Sequence, residues 1–156
     1  DDVVQAVKQI KAPYVTDKSR WYISGLSMGG YGALRLGVKY PEQFSAISAH
    51  SSITRIEDMA QFVDTPLSFY DCADAKETNI LYWAEKSATV LPPIRFDCGT
   101  DDTLLESNRC LPLASITCTT SIQGRINGHI GMSMWQRAFS GFQRLKKATF
   151  NGQHWF

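Results

Sequence analysis

Gly25-Leu26-Ser27-Met28-Gly29 sets a serine midway between two glycines. In a G-x-S-x-G segment a sharp strand-to-helix bend lifts the serine oxygen clear of the end of a sheet, and the glycines avoid collisions that larger side chains would suffer across the bend. Roughly one chain in twenty of this length would carry the pattern by chance, so its surroundings decide. Apolar Trp21-Tyr22-Ile23 precede it, and Gly29, Gly30, Gly32 and Ala33 follow, as a strand and a small-residue helix start should. The plainer alternative is a glycine-rich helix start used only for close packing. A phosphate-binding loop is disfavoured, because no Lys stands where such loops need one.

A serine hydroxyl is a weak nucleophile at neutral pH, so it requires a His base and an acid that holds the His in the correct tautomer. On sheets of this kind the chain order is Ser, acid, His, with acid and His on loops after later strands. Asp101 and Asp102 follow the apolar run Ile94-Arg95-Phe96-Asp97-Cys98. Asp102 is the chosen acid, which leaves Asp101 as a solvated turn carboxylate. Of the three histidines, His50 comes before the acid, directly after a strand, and reads as a surface or capping residue. His129, in Asn127-Gly128-His129, lies beyond the last predicted strand and before a terminal helix, and is the chosen base. His154, in Asn151-Gly152-Gln153-His154-Trp155, is its rival near the chain end.

The elements that must carry these residues follow from periodicity. Val3, Val4, Ala6, Val7 and Ile10 predict an opening helix that ends before Pro13, and Thr16 to Ser19 a turn. Tyr31, Ala33, Leu34, Leu36, Gly37 and Val38 predict a helix stopped by Pro41. Strands are expected at Trp21 to Ile23 running into Gly25, Phe44 to Ala49, Ile94 to Cys98 and Ile116 to Ile122. Residues 55–88 read as an excursion of short helices interrupted by Pro66, with Ile80 to Ala84 its best helical piece. A helix is expected over Leu104 to Leu111, and an amphipathic one over Met134 to Leu145. Strands alternating with helices predict an α/β fold with a mostly parallel sheet and helices on both faces.

Composition narrows the function classes. The 156 residues are 44% hydrophobic and 20% charged, which fits one globular domain over 1–156. The formal charge of +1 comes from interspersed residues, so nucleic-acid binding and membrane-surface attachment gain no support. No apolar run reaches the roughly 20 residues a membrane span needs, and residues 1–20 carry no signal pattern. Compartment stays open between cytoplasm and export. Cys72, Cys98, Cys110 and Cys118 show no two-residue gap of the zinc or redox type, so no metal is expected. Cys98 reads as a buried thiol, whereas Cys110 and Cys118 could pair only in an exported protein.

Taken together, Ile23 to Leu34, Tyr40-Pro41-Glu42-Gln43-Phe44 and Phe96-Asp97-Cys98-Gly99-Thr100-Asp101-Asp102 resemble the esterase family that includes esterase D, S-formylglutathione hydrolases and tributyrin esterases, within the α/β-hydrolase superfamily. The resemblance covers about residues 1–113 and fades afterwards. It implies Asp102 as the acid and the Met28 backbone N–H as one oxyanion-hole donor. Family members show Gly-Gly-His followed closely by Trp; here Asn127 replaces the first Gly and Trp135 comes late, while the segment around His154 echoes the same pattern. The family's N-terminal strands, including the loop that gives the second oxyanion donor, are missing. The chain therefore reads as the C-terminal portion of a longer α/β-hydrolase domain, with Trp21 to Ile23 at a sheet edge that could promote self-association into a homo-oligomer.

The expected function is hydrolysis of a small carboxylic or thiol ester through an acyl-serine, with no cofactor and a small-molecule ester or thioester as substrate. Two alternatives accompany it: a non-catalytic binding module on the same fold, and acyl transfer to a sugar or lipid acceptor.

Overall fold

The structure, a computed structural model, describes residues 2–11, 21–70, 74–109, 111 and 116–122. Its elements are α1 (Asp2–Lys11), β1 (Tyr22–Leu26), α2 (Met28–Lys39), β2 (Ala46–His50), α3 (Ile80–Lys86), β3 (Ile94–Gly99), α4 (Leu105–Arg109) and β4 (Ile116–Ile122). Three 3-10 turns, Ile56–Gln61, Leu67–Tyr70 and Ala75–Thr78, make up the excursion between β2 and α3. The expected turn at Thr16 to Ser19 and the helix at Met134 to Leu145 lie outside the described residues, as do Cys72 and Cys110.

The four strands are all parallel and lie in the order β1-β2-β3-β4, so β1 is at an edge of the described sheet. Ile23 pairs with Ile47 and Ile47 with Ile94; one residue on, Ser24 pairs with Ser48 and Ser48 with Arg95. Since successive side chains alternate faces, each face is written across the strands as rows. One face carries Ile23, Ile47, Ala49, Ile94 and Phe96. These join Leu34, Val38, Ile53, Ile80, Ala84 and Leu104 in the core, where each fully buried aliphatic or aromatic side chain contributes about 1.5–3 kcal/mol. The other face carries the polar residues Ser24, Ser48, His50, Arg95 and Asp97 beside Tyr22, Leu26 and Ala46. Between Ile94 and Arg95 the register with β4 slips by one residue, because Ile94 pairs with Ile116 and Arg95 with Cys118.

Packing of α2 onto the apolar face needs Gly37, where a Cβ would run into the side chain of Ile47 and press on that of Ile23. The helix stops at Lys39 because the residue before Pro41 is pushed out of the helical region. Its far side is held by the excursion. Tyr31, Arg35 and Lys39, one turn apart, meet the same short stretch: Tyr31 Oη donates to the Thr78 carbonyl at 2.7 Å, and Arg35 and Lys39 both pair with the Glu77 carboxylate. The Lys39 ammonium, with Arg35 beside it, holds the Glu77 carboxyl below the ordinary carboxylate range. Asn79 caps α3, its Oδ1 accepting from Tyr82 N at 3.1 Å.

Candidate active site

Ser27 is the single residue between β1 and α2, with φ 55° and ψ −119°. This is the left-handed half of backbone space, which costs a side-chain-bearing residue of order 1–3 kcal/mol. The surroundings hold it there. Ser27 N donates to the His50 carbonyl at 3.0 Å, and the Ser27 carbonyl accepts from Tyr31 N at 3.1 Å and Ile53 N at 3.2 Å. Gly25 is obligatory, because a Cβ there would overlap the Gly29 carbonyl across the bend. Gly30 likewise lets the first turn of α2 touch Ser52, whose Oγ would lie 2.8 Å from an added Cβ. The Ser27 hydroxyl makes no capping bond to the helix it precedes. Ser27 is half-buried and Met28 beside it is 54% exposed, so this end of the sheet opens outward.

Asp101 and Asp102 lie just past β3, two strands from Ser27. Asp101 is exposed, as a solvated turn carboxylate should be, whereas Asp102 is half-buried and engaged. Asp102 N donates to the Gly99 carbonyl at 3.2 Å, and its Oδ1 accepts from Leu104 N at 3.0 Å, which fixes one carboxylate oxygen at the start of α4. Cys98 is buried, as expected; burial raises its thiol pKa, and the carboxylates of Asp102 and Asp97 push the same way against the Ser51 hydroxyl. Both later histidines, His129 and His154, lie outside the described residues.

His50 is neither a surface nor a capping residue, contrary to the expectation from its position. Fully buried in β2, it takes part in a hydrogen-bonded chain on the polar face of the sheet. Its Nδ1 lies 2.7 Å from Asp97 Oδ1 and its Nε2 3.0 Å from Ser48 Oγ, while Arg95 Nε donates to Asp97 Oδ2 at 3.2 Å. Because a carboxylate only accepts, Nδ1 is the donor to Asp97, and Nε2 shares the hydrogen bond with the Ser48 hydroxyl. The result has the connectivity of a Ser-His-Asp relay. Ser48, however, is 2% exposed and His50 and Asp97 0%, which leaves no room for a substrate at that serine. This chain cements β2 to β3. An alternation reading could have found it, since Ser48, His50, Arg95 and Asp97 fall on one face of adjacent strands. Among the described residues no group of three or more His, Cys, Asp or Glu could hold a metal ion.

The chain is 33% identical over 115 residues to an acetyl esterase of Caldicellulosiruptor saccharolyticus, a match that spans 64% of this chain and 43% of the relative. Among solved structures, an S-formylglutathione hydrolase from Staphylococcus aureus matches with a TM-score of 0.70 at 18% identity, over 90% of this chain and 61% of that one. A ferulic acid esterase matches with a TM-score of 0.69 at 23% identity, over 90% of this chain and 58% of its own. The chain thus spans less than two thirds of the length of these relatives, and it has the α/β-hydrolase fold they share. The model of the Esterase family, described as "Putative esterase", matches residues 5–149; the chain belongs to that family.

Proposed function

We propose that the protein hydrolyses small carboxylic or thiol esters, with Ser27 as nucleophile, Asp102 as the acid and His129 as the base. The observation that carries this reading is the backbone of Ser27, kept at φ 55° between β1 and α2. Strain of this kind persists only where neighbouring structure enforces it, and it clusters at functional sites. Family membership and the relatives named above, which are called esterases or act on S-formylglutathione, support an ester or thioester as substrate.

In the proposed reaction Ser27 Oγ attacks the acyl carbon while the imidazole removes its proton, and the Met28 N–H donates to the oxyanion that forms. Collapse breaks the bond to the alcohol or thiol, which leaves with the proton from the imidazolium. Water then attacks the acyl-serine by the same steps in reverse, releasing the carboxylic acid and free Ser27. Asp102 orients the imidazole and stabilises its cation. The parallel register supports these roles: it sets the loops after β1 and β3 at the same sheet end, two strand spacings or about 10 Å apart.

The test is turnover of p-nitrophenyl acetate by the full-length protein beside Ser27→Ala, together with fluorophosphonate labelling. Loss of turnover and of labelling in the variant is the expected result. Equal rates in both proteins reject the assignment.

A further inference from the structure

A path of hydrogen bonds and short backbone links runs from Ser27 to Asp102, and one side chain closes it. The Ser27 carbonyl accepts from Ile53 N at 3.2 Å. The adjoining residue, Ser52, has its backbone N–H donated to Asn108 Oδ1 at 3.1 Å and its carbonyl accepting from Asn108 Nδ2 at 2.6 Å. Asn108 Nδ2 also donates to the Leu104 carbonyl at 2.9 Å, and Leu104 N donates to Asp102 Oδ1 at 3.0 Å. Both Ser52 and Asn108 are buried, at 0% and 5% exposure, so no water replaces these contacts.

Asn108 suits this place chemically. Its amide presents an acceptor and a donor to the two backbone groups of Ser52, as a neighbouring strand would, and two buried main-chain groups are thereby satisfied. Only this orientation works, because the flipped amide would set N–H against N–H and oxygen against oxygen. On its other side Ser52 touches Gly30 in the first turn of α2, so any shift of Ser52 is passed to the helix that Ser27 begins. A second strap joins the same segments without reaching Asp102: Ser107 Oγ donates to Asp58 Oδ1 at 3.1 Å, and Thr54 Oγ1 to Asp58 Oδ2 at 3.2 Å.

We infer that Asn108 is a positioning residue for catalysis, setting the Asp102 carboxylate relative to the Ser27 elbow by bridging Ser52 and Leu104. The inference rests on the roles proposed for Ser27 and Asp102. Without the bridge the acid loop loses its side-chain tie to Ser52, while the Asn108 N–H still holds the Leu104 carbonyl at 2.9 Å; a misplacement of about 1 Å costs on the order of 10²-fold in rate.

The full-length protein tests this with Asn108→Ala, Asp102→Asn, the pair combined, and Ser107→Ala, all assayed on p-nitrophenyl acetate. Asn108→Ala is expected to lower kcat about 10²-fold with KM nearly unchanged. It also moves the acid limb of the kcat/KM profile to lower pH, because the imidazolium loses part of its carboxylate support. In the Asp102→Asn background the same change adds little, since its effect passes through the acid that is already gone. Ser107→Ala, which loosens the same interface away from Asp102, leaves kcat and the acid limb in place. Multiplying losses in the double variant, or an unmoved acid limb in Asn108→Ala, overturn the inference. Should the alanine variant fail to fold, Asn108→Ser, which can keep one of the three bonds, carries the same expectations. If Asp102→Asn alone retains full kcat, the acid assignment itself fails, and that outcome is separate from any result at Asn108.

Discussion

Replacing Ser27 by glycine is expected to stabilise the protein while abolishing turnover. At φ 55° and ψ −119° a residue with a Cβ carries of order 1–3 kcal/mol of backbone strain, which glycine escapes. Against this stands the greater freedom of glycine in the unfolded chain, worth about 0.5–1 kcal/mol. The serine hydroxyl makes no capping bond, so its removal offsets little more. The net expectation is a gain of roughly 0.5–2 kcal/mol for Ser27→Gly. Ser27→Ala keeps the Cβ and with it the strain, so it should stay within about 0.5 kcal/mol of the parent. Urea unfolding of the three proteins reads this directly as a shift in midpoint at constant slope. In a thermal scan 1 kcal/mol corresponds to about 2–4 °C for a domain of this size. A glycine variant no more stable than the alanine variant would refute the claim that the elbow stores strain.

Other substitutions probe the remaining supports. Gly25→Ala places a Cβ into the Gly29 carbonyl, a backbone atom that cannot yield without opening the bend, so a loss of about 3 kcal/mol, the upper part of the overpacking range, is expected by denaturant titration. Asp97→Ala leaves the buried His50 and the partly buried Arg95 without their shared carboxylate and should cost about 3–5 kcal/mol, whereas an unchanged midpoint would show that the polar face does not tie β2 to β3. Cys98, buried and raised above the ordinary thiol range, should resist thiol reagents at neutral pH until the protein unfolds; its share of stability is present below the ordinary thiol pKa and is lost as pH rises above it. Glu77 is shifted the other way, chiefly by its hydrogen bond from Lys39. Its contribution is therefore present above the ordinary carboxylate value and lost as pH falls through the lowered one, and Glu77→Gln should flatten that limb of the stability profile while added salt weakens it in the parent.

Local chemistry made most of the framework legible. All four strands were expected from apolar and β-branched runs, and they occur with end shifts that range from none in β4 to three residues at the end of β1, Leu26 against Ile23. The start of α2 could be placed because G-x-S-x-G implies a tight strand-to-helix bend, and the structure has no room for a Cβ at Gly25. The excursion after β2 was readable as short helical pieces around Pro66, with Ile80–Lys86 as the regular one. His50 was misread because it was judged by its place after a strand and before the acid, whereas its fate here is decided by Asp97 on the next strand, a contact separated by 47 residues. Asn108 was invisible for the same reason: an asparagine in a short helix has no sequence signature for pairing with a backbone segment 56 residues away. The elbow and the acid loop were thus legible from local spacing, while the contacts joining them depend on tertiary register.

Neighbouring strands in this sheet are also consecutive in the chain, and β2 and β3 are locked where the excursion departs and returns. Ser51 N donates to the Asp97 carbonyl at 2.8 Å, in addition to the His50–Asp97 side-chain bond. Within the intervening stretch Ile53, Met59, Ile80 and Ala84 belong to the core, so only its exposed positions can vary freely on this frame. Phe62, Asp64 to Pro66 and Phe69 are exposed there, and doubling a loop adds only about 0.6 kcal/mol of closure cost. Evolution, or an engineer, can lengthen that stretch at its exposed positions while the bend at Ser27 and the turn after β3 keep their spacing.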